Sequence, residues 1–153
     1  MSQPAYTIRP FTASDQSAAR ALVLAGLGEH WGYIDETLNP DLDDIAAAYP
    51  PETSLFLVVE DPTGALIGAG CLTEVDPSTG CLVRMSVAST ARGKGIGRRL
   101  VAELESAALD RGYTRLVCET TENWTDAVGL YLATGFIETG IWDGDRHFEK
   151  PLT

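Results

Sequence analysis

Apolar residues recur along this chain in two rhythms, and the rhythm changes at glycines and prolines. Alternating or continuous β-type runs cover residues 6–9, 55–60, 65–75, 81–87 and 115–120. Helical spacing takes over between them. Ala18, Ala21, Leu22 and Ala25 share one face of a helix that Thr12 or Ser14 can cap and that runs to about residue 27. Asn39-Pro40 reads as an N-cap followed by proline at the first helical position, with Leu42, Ile45, Ala46 and Tyr49 as the apolar face and Pro50-Pro51 as the stop. Ile96, Leu100, Leu104 and Ala108 line a third helix that ends at Gly112. A fourth, shorter helix precedes Gly135, and a strand pair from residue 136 to about 152 closes the chain. Turns at Asp61-Pro-Thr-Gly64 and Asp76-Pro-Ser-Thr-Gly80 join the middle strands into hairpins. The predicted order, β-α-α-β-β-β-α-β-α-β-β, is an α/β sandwich with helices on the faces of a mixed sheet. With no repeat or composition break, residues 1–153 read as one domain.

Composition narrows the class. A chain of 153 residues can bury a core without disulfide staples. No apolar run approaches the ~18 residues of a membrane span, and Met1-Ser-Gln-Pro-Ala-Tyr6 lacks the basic and apolar blocks of a signal peptide. Cys71, Cys81 and Cys118 lie in strand-like runs without metal-ligand spacing, and the two histidines, His30 and His147, stand far apart. Buried reduced thiols, no metal centre, no membrane partner and a cytoplasmic location are therefore expected. The net charge of −11 argues against nucleic acid, whose binding draws on a basic face. Four of the eleven bases, Arg92, Lys94, Arg98 and Arg99, nevertheless crowd into one stretch. An acidic body with one basic spot suits an anionic cofactor and a cationic substrate. The same acidity serves plain solubility, and the sequence does not choose between these.

That basic stretch is Met85-Ser-Val-Ala-Ser-Thr-Ala-Arg92-Gly-Lys-Gly-Ile-Gly97-Arg-Arg-Leu-Val. A strand leads through a polar turn into a loop with three glycines in five residues, and a helix comes directly after it. Consecutive backbone N–H groups and a helix N-terminus then point at one place, which is a phosphate-binding arrangement. Glycine omits the Cβ that would keep a pyrophosphate off the main chain. A Walker loop is excluded, because Ala88 stands where it needs glycine and Gly95, not Ser or Thr, follows Lys94. A dinucleotide fingerprint is excluded as well, since its third glycine would come one residue after Gly97.

What remains, Arg92-x-x-Gly95-x-Gly97, resembles the acetyl-CoA pyrophosphate loop of the GNAT N-acetyltransferases, Arg/Gln-x-x-Gly-x-Gly/Ala. Further on, Ala127, Leu130, Tyr131, Gly135 and Phe136 resemble the family signature Ala-x-x-Leu-Tyr-x-x-x-Gly-Phe. An amphipathic helix with an αL glycine cap would explain Leu130 and Gly135 alone, but not two GNAT elements in the family's order. Tyr6-Thr-Ile-Arg-Pro10 and Arg146-His-Phe-Glu-Lys-Pro151 are similar to the family's first and last strands.

The resemblance implies the GNAT fold: a mixed central β-sheet of about seven strands flanked by about four helices. It implies an acetyl-CoA-dependent N-acetyltransferase that moves an acetyl group from CoA, its cosubstrate, to a primary amine by direct transfer in a ternary complex. Small molecules and peptides both remain open as acceptors. The resemblance places CoA against the backbone of Met85, Ser86 and Val87, where the family splays two strands. It adds Arg92, Gly93, Lys94, Gly95, Ile96, Gly97 and Arg98 as further contacts. It puts Tyr131 beside the CoA sulfur as the proton donor. The Asn that usually stands three residues before the signature Ala is replaced by Trp124. Either the loop is one residue longer and Asn123, one residue earlier, makes the contact with CoA, or the contact is lost.

The general base is open. An amine with a pKa near 10.4 is neutral to only about one part in 10³ at pH 7, a cost of ~4–5 kcal/mol that a carboxylate can ease, directly or through water. Several family members carry a Glu six residues before the position of Val87; here that residue is Cys81. The substitutes are Glu74, expected across the hairpin from Cys81, and Glu119, at a strand end beside the cleft. Glu29 and His30 come after the first helix and are further options, with His30-Trp31 alternatively packing a substrate loop. Cys81 as a nucleophile is chemically conceivable, against the commoner fate of such a Cys as a small buried hydrophobe. The alternative function is a non-catalytic acyl-CoA-binding sensor on the same fold, and a third is an interaction protein without CoA. Acetyl-CoA and an amine acceptor, cationic if the surface charge steers it, are the expected partners. A homodimer is left open.

Overall fold

Seven strands line up as β1 (Thr7–Pro10), β2 (Ser54–Glu60), β3 (Leu66–Asp76), β4 (Thr79–Val87), β5 (Arg115–Thr121), β7 (Asp145–Pro151) and β6 (Ile137–Trp142). All neighbours are antiparallel except β4 and β5. The helices are α1 (Gln16–Trp31), α2 (Ile45–Ala48), α3 (Ile96–Asp110) and α4 (Thr125–Ala133). This is a computed structural model; it describes residues 6–31, 39–121 and 124–152, with the side chains of His30 and Trp31 outside that description. No helix among the described residues is long and apolar enough to cross a membrane.

Both faces of the central strands are covered, which is why β2 reads as a continuous apolar run instead of an alternation. Its Phe56 and Val58 meet Ala19, Val23, Leu42 and Ile45 on one face. Leu57 and Val59 meet Ile96, Leu100 and Leu104 of α3 on the other, in a core that also holds Leu116, Tyr131 and Phe148. The β1–α1 corner is fixed by Arg9, whose guanidinium reaches both oxygens of Asp15 at 2.8 and 2.9 Å. Asp15 also accepts from the Thr12 backbone N–H at 2.8 Å. These partners hold its pKa down to about 2.

The element order matches the hydrophobic pattern, with two differences in detail. α1 runs on to Trp31 and turns Ala19, Leu22, Val23 and Leu24 inward, while Ala18, Ala21 and Ala25 of the expected face are exposed. The helix expected from Asn39 on is a 3-10 turn over Pro40–Asp43, then α2. Asp44 leaves helical geometry at φ −149° and accepts a hydrogen bond from the Ala47 N–H. Such competition by a short acidic side chain is what ends helices locally. The Gln16 amide takes the groups this frees, donating to the Leu42 carbonyl at 2.7 Å and accepting from the Ile45 N–H at 3.0 Å. Of the predicted apolar face, Leu42 and Ile45 are buried, Tyr49 is half-buried and Ala46 is exposed.

Two irregularities interrupt β4. It pairs with β5 at only three positions, Thr79 with Arg115, Gly80 with Leu116 and Cys81 with Val117. Against β3 its register slips: Cys71 faces Val83 while Ala69 faces Ser86, so Gly70 opposes both Arg84 and Met85. That is a β-bulge.

Candidate active site

Past Cys81 and Val117 the two parallel strands part, and a cleft of about 750 Å³ opens between them. Residues 81–87 of β4 and 119–121 of β5 form its sides, Val23, Gly26 and Leu27 of α1 close one end, and Ala127, Leu130 and Tyr131 of α4 close the other. The Ala88 N–H bonds the Ile67 carbonyl of β3 at 2.9 Å. Strand alternation therefore turns the N–H groups of Val87 and Met85 to the opposite edge, where β5 has departed. The Val87 carbonyl on that edge accepts from Arg92 Nε at 3.2 Å.

The glycine loop divides into two duties. Gly93 and Gly95 have φ of +80° and +78°, and a Cβ at either would meet nothing within 4 Å. Gly95 is the N-cap of α3 and offers no side-chain cap, so the first N–H groups of a 15-residue helix face open space. Gly97 corrects the expectation that all three glycines make room for an anion. A Cβ there would lie 3.3 Å from both methyls of Leu130, so its bareness admits α4 against α3. Ile96 is a core residue, Arg98 is on the cleft wall, and Lys94 is exposed and off it. Arg92 is ion-paired with Glu29 at the end of α1. Arg99 lies 5.9 Å over the Tyr6 ring, away from the wall.

Tyr131 is 4% exposed and is held by the rings of Phe136 and Phe148 at 5.5 and 5.6 Å. Its hydroxyl has no hydrogen-bond partner among the described residues, and burial drives its pKa well above the ordinary tyrosine value. The phenol thus keeps its proton at physiological pH. Burial, with the nearby charge of Glu119, pushes the Cys81 thiol up to about 11, and burial pushes Cys71 up to about 12. Thiolate is scarce at neutral pH, which works against Cys81 as a nucleophile.

The two candidate bases separate cleanly. Glu119 stands on the cleft wall with its side chain 59% exposed, two residues along β5 from the partner of Cys81 and on the same face. Its Oε2 lies 3.2 Å from His147 Nδ1, and the imidazole is stacked on the Trp142 ring at 3.6 Å. Glu74 does not lie across from Cys81. Thr73 does, while Glu74 faces Gly80 on the opposite side of the sheet and accepts from the Tyr113 hydroxyl at 3.0 Å. Glu74 is not on the cleft wall. Asn123 and the His30 side chain fall outside the described residues. Among the described residues no group of three or more His, Cys, Asp or Glu could hold a metal ion.

A set of side chains that sequence reasoning missed lies beside the cleft, with Arg84 and Tyr49 on its wall. Arg84, at φ +56°, makes a two-pronged bond to Asp41, which also accepts from Tyr49. A left-handed residue other than glycine costs about 1–2 kcal/mol. An arginine inside an apolar strand run was the only sequence hint.

An open sheet that divides between two parallel strands, with a glycine turn starting a helix at the division and a buried tyrosine facing it, defines the N-acetyltransferase class of α/β fold. The chain belongs to the GNAT acetyltransferase family: residues 20–136 match the Acetyltransferase (GNAT) family. It is 35% identical to rat (Rattus norvegicus) N-acetyltransferase 8 over 119 residues, covering 74% of this chain and 54% of that one. The chain thus spans about half the length of the curated relatives it matches. A GNAT acetyltransferase from Staphylococcus aureus superposes with a TM-score of 0.87 at 20% identity, covering 97% of this chain and 100% of the other. Spermidine N-acetyltransferase from Vibrio cholerae, solved with CoA and spermine, superposes at 0.73 with 19% identity and covers 97% and 96% of the two chains.

Proposed function

We propose that this chain transfers an acetyl group from acetyl-CoA to a primary amine, in one step within a ternary complex. The observation that carries the reading is the convergence at the parted strands. The uncapped start of α3 behind two left-handed glycines, the free edge of β4 and Tyr131 all border one cleft. Arg92, Arg98 and the N–H groups from Gly93 to Gly97 fit a pyrophosphate, since the Cβ positions of Gly93 and Gly95 are empty space.

Acetyl-CoA supplies an activated acyl carbon. In this reading Glu119 takes the proton from the amine, directly or through one water. The Met85 N–H holds the carbonyl oxygen as negative charge develops on it, and the Val87 N–H, about 7 Å along the same edge, is left for another acceptor on the cofactor. Tyr131 returns a proton to the departing sulfur. The new C–N bond replaces the C–S bond. Starting from the ammonium, two protons leave nitrogen, one through Glu119 to solvent before attack and one as the amide forms; the latter is matched by the proton that sulfur gains. Asp126 and Asp145 join Glu119 on the wall, and the body carries −11. That field favours a cationic amine, and a neighbour of the same fold seen with spermine makes spermine a reasonable first probe.

The test pairs binding with turnover. CoA should raise the melting temperature, and free thiol should appear when acetyl-CoA is mixed with members of an amine panel that includes spermine. A shift with no turnover on any amine would favour the sensor alternative, and no shift at all would dismiss both.

A further inference from the structure

The bulge in β4 carries a residue poorly suited to it. Gly70 faces both Arg84 and Met85, and Arg84 adopts φ +56°. That is the left-handed setting that glycine fills at the first position of one common bulge type. Among the described residues Asp143 is the other non-glycine with positive φ, and it sits beside Gly144 in the β6–β7 turn, where such values are ordinary. Arg84 is in mid-strand.

Side-chain bonds supply the compensation. Arg84 Nε lies 2.9 Å from Asp41 Oδ2, and Nη2 lies 2.6 Å from Oδ1, a fork that arginine makes and lysine cannot. The Tyr49 hydroxyl donates to Asp41 Oδ2 at 2.7 Å. Its ring packs 5.7 Å from Phe56 in the core beneath α1. A chain of contacts therefore runs from the core through Tyr49 and Asp41 to the backbone of β4. Glycine at position 84 would permit the bulge; arginine tied to Asp41 imposes it. The next residue is Met85, whose N–H turns to the free edge of the strand.

We infer that Asp41, Arg84 and Tyr49 form a latch that holds the β4 bulge in its left-handed setting and so aims the Met85 N–H into the cleft. Arg84 is then a positioning residue for acetyl transfer. The functional half of this rests on the N-acetyltransferase reading above. Asn39 and Tyr49 also line the cleft, so the segment that closes the latch is the one that walls the acceptor side.

The test compares Arg84→Ala, Arg84→Gly and Asp41→Asn in the full chain, with acetyl-CoA and spermine, and with slow acetyl-CoA hydrolysis as the acceptor-free readout. Alanine keeps a Cβ in a left-handed setting with nothing to hold it, so kcat should fall about five- to thirtyfold. Glycine takes that setting without steric cost, so its loss should be less than half as large, with Asp41→Asn in between. The CoA-induced thermal shift should persist in all three. The ¹H–¹⁵N signal of Met85 should move strongly in the alanine variant and weakly in the glycine one. If the alanine variant does not fold, a greater kcat loss in Asp41→Asn than in Arg84→Gly supports the latch and the reverse order overturns it. Equal losses for alanine and glycine with a raised amine KM would make Arg84 an acceptor contact and overturn the proposal, as would wild-type kcat throughout. A wild-type protein that binds CoA but turns nothing over sinks the enzyme reading, and the Met85 signal then still decides whether the latch holds the bulge.

Discussion

Alanine at position 95 and alanine at position 97 should behave as opposites, although both remove a motif glycine. At Gly95 the added Cβ meets no atom within 4 Å, so packing contributes nothing, but φ is +78°. A left-handed alanine costs about 1–2 kcal/mol, which is roughly 2–8 °C of melting temperature for a domain of this size. Relaxation to negative φ would relieve that cost by swinging the first N–H groups of α3 away from the cleft. At Gly97 the Cβ would touch two Leu130 methyls at 3.3 Å, tight by a few tenths of an ångström. Against this stands a helix-propensity gain of up to about 1 kcal/mol, so stability should barely change. With CoA at a hundredfold excess over Kd, wild type and Gly97→Ala should each gain about 2.7 kcal/mol, or roughly 5–11 °C, and Gly95→Ala less than half of that. Differential scanning fluorimetry over a CoA titration reads all of this. If Gly97→Ala loses the shift as completely as Gly95→Ala, the division of labour within the loop is wrong.

Tyr131→Phe keeps the ring that Phe136 and Phe148 pack against and removes only the proton donor. kcat should fall by up to about 10²-fold with the CoA Kd unchanged, and a normal kcat with weakened CoA binding would reduce Tyr131 to a cofactor contact. Glu119→Gln should lower kcat/KM for the amine by about 10²-fold or more near neutral pH. The deficit should shrink in steady-state assays toward pH 10, where solution deprotonates the amine; a pH-independent deficit excludes the base role. Asp15 has its pKa held down to about 2 by Arg9 and Thr12, so its folded value lies below the unfolded one. Its contribution is complete above about pH 4 and disappears as pH falls toward 2. Asp15→Asn should therefore lose about 1–3 kcal/mol near neutrality and show a flatter pH–stability curve than wild type between those limits, measured by urea unfolding.

Most of the fold was legible because its signals are local. The two-sided apolar run of β2, the spacing of Ile96, Leu100, Leu104 and Ala108, and the turns at Gly64 and Gly112 each lie within a dozen residues. All of them formed as read. Where local signals competed, reading was poorer. Asn39-Pro40 announced a helix, and Asp44 a few residues later ended it by capping a new one. Glu74 was misplaced for a different reason. Side chains alternate faces along a strand, so an error of one residue in register sends a carboxylate to the other side of the sheet.

Neighbouring residues were enough to reveal a strand running into a glycine-started helix, and a tyrosine-bearing helix later on in the family's order. Periodicity, caps and glycine conformations are short-range properties, so they survive in one dimension. It took the packed molecule to establish that β4 and β5 stay paired for three positions and then part, that Gly97 is bare for the sake of Leu130, and that Glu119 rather than Glu74 reaches the cleft. Packing alone brought Asp41 to Arg84 across 43 residues of chain. Each of these depends on which surfaces meet once both faces of the sheet have been covered, and no spacing along the chain records that.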